Sequence, residues 1–160
     1  MEDCNRVAEA TKDADGIYQV GLELHYTPVF KKTAELIEDG ELGRVRQIWC
    51  KEFRGPWNRK VGDWITQQDK TGGALVEKDC HHFDLFNWFV GAMPEEVGGF
   101  GTRDLVYSTD KFSIEPTVLD NAQVIIRYDT GTVANLMLNM YCTGYEEGLE
   151  IGVIGTEGWL

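Results

Sequence analysis

Gly72-Gly73-Ala74-Leu75-Val76-Glu77-Lys78-Asp79-Cys80-His81-His82-Phe83-Asp84 is the stretch on which the reading of this chain turns. A glycine pair opens an apolar run that reads as a helix from about Leu75 to Val90. Gly91 ends it and Pro94 blocks its extension. On one continuous helix Glu77 and His81 stand four apart, and His81 and Asp84 three apart, so all three lie near one face. A histidine between two carboxylates can be held in one tautomer and used as a general acid or base near neutral pH. Lys78 and His82 fall on the flank of that helix and read as solvated or structural. Cys80, His81, His82 and Asp84 do not form a metal set, because adjacent helical residues diverge by about 100°.

Outward from this run, 160 residues suffice for one core and are too few for two full domains. The chain is 42% hydrophobic and 26% charged, the balance of a soluble globular protein. Its formal net charge of −12 argues against nucleic acid or an anionic membrane as partner. No stretch approaches the roughly 20 apolar residues of a membrane span. The acidic, polar start at Met1-Glu2-Asp3 is not a secretory signal. Cys4, Cys50, Cys80 and Cys142 are widely spaced and make no C-x-x-C, which fits free thiols in a reducing, cytoplasmic compartment and no metal site.

Upstream, residues 2–15 read as a modest amphipathic helix stopped by Gly16, and residues 17–24 as a strand. Thr27-Pro28 is a helix start, an apolar stripe from Val29 to Ile37 follows, and Gly40 closes the helix. Residues 45–53 read as a strand. Residues 54–68 form an irregular loop with Trp57, Trp64 and several basic side chains. Downstream the chain reads as β: residues 97–106, then 122–128 and 133–141 around the hairpin signal Asp129-Thr130-Gly131, then 149–154 before a turn at 155–158. Trp49, Trp88 and Trp159 read as core or interface residues.

Three segments, in order, resemble the glucose–fructose oxidoreductase/inositol dehydrogenase (Gfo/Idh/MocA) family. They are Val20 to Pro28 with the helix ending at Gly43, the run Gly72 to Leu85 with Trp88 and Gly91 behind it, and Val153-Ile154-Gly155-Thr156-Glu157-Gly158. The middle segment is the specific one. The resemblance implies an α+β fold: a mostly antiparallel open sheet with helices on one face, preceded by the last helix and strand of a Rossmann-type domain. Residues 1–26 would be the remnant of that dinucleotide-binding domain. Residues 27–160 would form the catalytic, substrate and oligomerisation domain, incomplete at its C-terminus.

The implied function is hydride transfer between NAD or NADP and a sugar- or cyclitol-type hydroxyl or carbonyl. His81 falls on the family's acid–base position and Glu77 on the carboxylate four residues before it, where many members have Asp. Many members have Gly at the position of Asp79, and Arg at that of His25. Arg54, Trp57 and Trp64 are the candidates to contact a polyhydroxylated substrate, and Asp84 either contacts it or holds the helix. The family's glycine-rich pyrophosphate turn is not found. Gly99-Phe100-Gly101-Thr102-Arg103-Asp104 has Asp for the third glycine and leads into a β pattern. The coenzyme would therefore be bound mainly by a domain outside this sequence, and the chain alone would be inactive. The alternative is a non-catalytic sugar-binding or oligomerisation module, associating through the open sheet into a homo-oligomer.

Overall fold

The computed structural model describes residues 2–104, 112–144 and 148–160. Five strands form one sheet: β1 (Val45–Phe53), β2 (Pro94–Thr102), β3 (Asn121–Tyr128), β4 (Val133–Asn139) and β5 (Leu149–Gly155), in the order β2-β3-β4-β1-β5. Only β1 and β4 run parallel; the other three pairings are antiparallel. The helices are α1 (Glu2–Thr11), α2 (Pro28–Glu38), α3 (Gln68–Thr71), α4 (Ala74–Glu77) and α5 (Cys80–Val90), with 3-10 segments at Glu23–Tyr26 and Val61–Thr66. This is the α+β architecture expected from the sequence.

Strand alternation decides which face the helices cover. Ala122, Val124, Ile126 and Tyr128 of β3 are buried while Gln123, Ile125 and Arg127 between them are exposed. Pairing puts Val124 opposite Leu136, Leu136 opposite Cys50 and Cys50 opposite the partly buried Ile151, so one apolar row crosses four strands. Leu85, Phe86 and Phe89 of α5 and Ala34 of α2 pack on this face. Burying a side chain the size of Leu or Phe contributes roughly 1.5–3 kcal/mol. A second apolar cluster under the loop joins Trp57, Ile65, Ala74, Val118, Leu138 and Met140. The opposite face carries Trp49, Lys51, Ile125, Met137 and Ile154, and among the described residues no helix lies over it.

Several expected elements differ. Residues 17–22 are not a strand: a strand exists through its ladder, and this segment pairs with none among the described residues, leaving Ile17, Tyr18 and Val20 exposed. Glu23–Tyr26 instead turns into a 3-10 segment that packs on α2 and α5. The first helix stops at Thr11, and β2 runs from Pro94 to Thr102, with 105 and 106 of the expected strand outside the described residues. The glycines at 99 and 101 lie in the β2–β3 ladder, where a Cβ on Gly101 would stand 2.7 Å from the Asn121 carbonyl oxygen. The hairpin at 129–131 forms as expected, with Gly131 at φ 77° and its N–H donating to the Tyr128 carbonyl at 2.8 Å.

The expected single helix over 75–90 is two. α4 ends at Glu77 and α5 starts at Cys80. At Asp79 ψ is −2°, far from the helical value of about −42°. The side chain explains the break. Asp79 does not cap the backbone; its carboxylate takes a hydrogen bond from the His82 ring. Aspartate favours such local alternatives over a continued helix. The glycine pair ahead of α4 is required by geometry: φ is 76° at Gly72 and 82° at Gly73, and a Cβ on Gly72 would meet the Val76 side chain at 2.8 Å.

Candidate active site

α5 divides its histidines. His81 and His82 are neighbours in sequence, so their side chains leave the helix about 100° apart. His82 points inward and is 0% exposed. Its Nδ1–H donates to Asp79 Oδ1 at 2.9 Å, an assignment that follows because an ionised carboxylate only accepts. Its Nε2 faces Glu52 Oε2 of β1 at 3.6 Å, beyond hydrogen-bond length. Glu52 is nearly buried and also faces Lys78 and Arg54, each with a nitrogen 3.7 Å from Oε1. Burial, with Asp79 and Glu52 nearby, pushes the Cys50 thiol far up, so it is an inert core residue.

His81 faces the other way, with 19% of its side chain exposed. Its Nδ1 lies 3.1 Å from Glu23 Oε2, a close approach without hydrogen-bond alignment. The Glu77 carboxylate makes no hydrogen bond or ion pair among the described residues. The carboxylate that the fold brings to His81 is therefore Glu23, from the 3-10 segment, in place of the expected i, i+4 partner. Asp84 is met in the same way: its Oδ2 lies 2.5 Å from His25 Nε2. The His25 ring stacks on Trp88 with centroids 4.1 Å apart and planes 10° from parallel. Two carboxylate–histidine pairs thus cross between the 3-10 segment and α5, one in each sense.

Among the other expected site residues, Arg54 follows β1 and is held by its backbone to Asn139 and Cys142. Trp57 is 7% exposed and packs in the second apolar cluster, so it supports the loop from beneath, while Trp64 stays open to solvent. The loop is pinned by Asp63, a buried non-glycine residue at φ 51°. Arg59 donates two 3.0 Å hydrogen bonds to it and the Ser113 N–H a third at 2.6 Å. The Arg59 hydrogen bond, with that of Ser113, holds the Asp63 carboxyl below the usual carboxylate range. A cleft of about 660 Å³ runs between α4, α5 and β2, lined by Leu75, Phe83, Asp84, Val97, Leu119 and Val124. His81 and Glu77 do not line it; Asp84 borders both.

Sequence reasoning did not find Glu23, His25, Glu52 or Asp79. Glu23 and His25 carried no usable signal, because alternation with Leu22 and Leu24 reads as a strand and the segment is a 3-10 turn. Among the described residues there is no group of three or more potential metal ligands, and no helix is long and apolar enough to cross a membrane. Nor do the described residues supply a coenzyme pyrophosphate cradle, since the β2 glycines sit in a ladder and not at a strand–helix turn.

The chain is similar to known proteins along its whole length. The chain is 25% identical over 158 residues to scyllo-inositol 2-dehydrogenase (NAD(+)) of Bacillus subtilis, covering 99% of the chain and 43% of that protein. It is 28% identical over 163 residues to myo-inositol 2-dehydrogenase of Thermotoga maritima, covering 99% and 44%. The crystal structure of GenD2 from gentamicin A biosynthesis in complex with NAD superposes with a TM-score of 0.80 at 26% identity, over 99% of this chain and 43% of that one. The chain thus spans less than half the length of these relatives. The family model for the GFO/IDH/MocA C-terminal domain matches residues 30–160. This is an oxidoreductase family, and the chain belongs to it.

Proposed function

We propose that this chain is the substrate-side part of an NAD(P)-dependent oxidoreductase acting on a hydroxyl or carbonyl of a sugar or cyclitol. The observation that carries the reading is the placement of His81, largely shielded on α5 and approached by a carboxylate, within a chain whose relatives are inositol dehydrogenases. In this reading His81 takes the proton from the substrate hydroxyl, or returns it. Glu23, 3.1 Å from Nδ1, orients the ring for that transfer, and Glu77 is the second candidate carboxylate. Asp84, held by His25, and Arg54 and Trp64 at the loop bind the remaining hydroxyls. The nicotinamide coenzyme would supply the hydride chemistry, held mainly by a dinucleotide-binding domain outside these residues. Residues 1–26 would be the end of that domain and 27–160 the catalytic domain, inactive without its partner.

The test is His81→Ala in the enzyme together with its coenzyme-binding half. Turnover of a cyclitol should fall by about 10²–10⁴-fold, the usual contribution of a positioned general acid–base. Near-normal turnover removes His81 from the chemistry. A second reading has a specific observation behind it: the helix-free face of the sheet exposes Ile125, Val133 and Ile154, with Trp159 beside it. Such a face suits homo-oligomerisation. Sedimentation of the chain at several concentrations tests it, and a monomer throughout removes it.

A further inference from the structure

Two carboxylate–histidine pairs cross between the 3-10 segment and α5, and the reading of His81 uses only one of them. His81 and Asp84 stand three apart inside α5, with about 5–6 Å between their Cβ atoms. Glu23 Oε2 reaches the first at 3.1 Å and His25 Nε2 the second at 2.5 Å, so the four side chains form one contiguous group. The two pairs are built alike. His81 Nδ1, His25 Nε2 and Asp84 Oδ2 are shut off from solvent, while the side chains that carry them keep 19%, 34% and 28% of their surface exposed. Each contact is therefore sealed on its inner side and the rest of the ring stays open, unlike an ordinary surface pair. The far nitrogens, His81 Nε2 and His25 Nδ1, reach solvent and make no hydrogen bond among the described residues. Stacking on Trp88, at 4.1 Å, fixes the plane of the His25 ring. An ionised carboxylate only accepts, so it draws the single N–H of a neutral imidazole to its own side. The far nitrogen is left as a base, Nε2 on His81 and Nδ1 on His25. Removing a hydroxyl proton for hydride transfer needs one such base, and this group holds two.

We propose that His25 is a second catalytic base, which takes a proton from the carbon beside the substrate carbonyl, so that the site also interconverts a keto sugar and its enediol. The assignment rests on the reading of His81 as the group that meets the substrate oxygen. Oxidation by the nicotinamide coenzyme leaves a carbonyl on the ring and the hydroxyl proton on His81. The carbonyl acidifies the hydrogens on its neighbouring carbons. His25 Nδ1 takes one of them as a proton. The C–H electron pair becomes the C=C bond, and the carbonyl π pair moves to oxygen. The proton on His81 Nε2 closes that oxygen to a hydroxyl. No electron is gained or lost in this second step, and its reversal returns a proton to carbon. Asp84 holds the His25 tautomer and is its positioning residue.

The test is proton NMR of the keto form of myo-inositol in heavy water, with the enzyme together with its coenzyme-binding half. The hydrogens beside the carbonyl should exchange for deuterium about 10²–10⁴ times faster than in buffer, the contribution of a positioned base. Reduction of the same ketone is followed in parallel. His25→Phe keeps an aromatic ring over Trp88 and removes the base, so the ratio of exchange to reduction should fall at least about tenfold. Asp84→Asn should lower the same ratio, because an amide can present its own N–H to Nε2. Long-range proton–nitrogen NMR of the isotopically labelled parent chain reads the neutral His25 ring without any variant, and the N–H should sit on Nε2. Exchange at the buffer rate, a ratio that survives His25→Phe, or an N–H on Nδ1 overturns the proposal. The His81→Ala variant separates the two readings. If that variant reduces the ketone normally while exchange still depends on His25, the hydroxyl proton is misassigned and the second base stands. If reduction is lost and the parent exchanges nothing, the second base falls alone.

Discussion

His81 and His82 share a helix and a neighbouring carboxylate each, yet they live in opposite surroundings. His82 is fully buried, hydrogen-bonded at 2.9 Å to Asp79 and backed by Glu52. His81 is partly open, and its carboxylate, Glu23, is itself well exposed and comes from a short 3-10 segment. The same pair of chemical groups is sealed from solvent in one place and partly open to it in the other. What differs is desolvation: a buried pair cannot exchange its partner for water, while an exposed one can.

The largest expected effect separates the two in function. His81→Ala should lower turnover of the assembled enzyme by about 10²–10⁴-fold and change unfolding free energy by no more than about 1 kcal/mol. A denaturant melt run beside the kinetic assay checks both halves. Asp79→Ala should invert this pattern. It leaves a buried imidazole N–H without an acceptor and removes the cause of the α4–α5 break, at a cost of about 2–4 kcal/mol. A shift in denaturation midpoint worth less than about 1 kcal/mol would put His82 in the same class as His81 and end the comparison.

The crossed pairs give a smaller effect. Glu23→Ala should loosen the 3-10 segment from α5 and speed amide exchange at Leu24 to Thr27 by up to about fivefold, the scale of an exposed ion pair. Unchanged exchange would mean that the His25–Trp88 stack holds the segment alone. The smallest effect lies in the loop. Asp63→Asn keeps a residue type that tolerates positive φ and removes only the charge. The folded-state carboxyl of Asp63 is held below its ordinary value. Its contribution is therefore complete above the ordinary carboxylate range and disappears as pH falls through the lowered folded value. The Tm gap between the Asp63→Asn variant and its parent should be present near neutral pH and close at acid pH. A gap independent of pH would assign the loss to geometry instead.

Much of the fold could be read from the chain. The β3 alternation, the turn at 129–131 and the apolar stripes of α2 and α5 are local patterns, and each formed where expected because burial and backbone geometry enforce them residue by residue. The errors share one cause. Residues 17–22 carry strand-forming side chains, but a strand needs a neighbour, and propensity does not supply one. The run from 75 to 90 has a helical period throughout, but the Asp79 carboxylate found a buried imidazole and the helix broke there. The spacing of Glu77 and His81 was a valid inference for a continuous helix and lost its premise at that break.

The sequence by itself determined the family, the α+β class and the segment that holds the candidate acid–base histidine. Those rest on periodicity, turn chemistry and a motif, all of which act over a few residues. Only the tertiary structure decided which carboxylate approaches which histidine. Glu23, His25, Glu52 and Arg54 reach α4 and α5 from elsewhere in the chain. Which of two adjacent histidines is buried depends on how α5 is rotated against the sheet, and that rotation is set by the packing of Leu85, Phe86 and Phe89 on β1, β3 and β4.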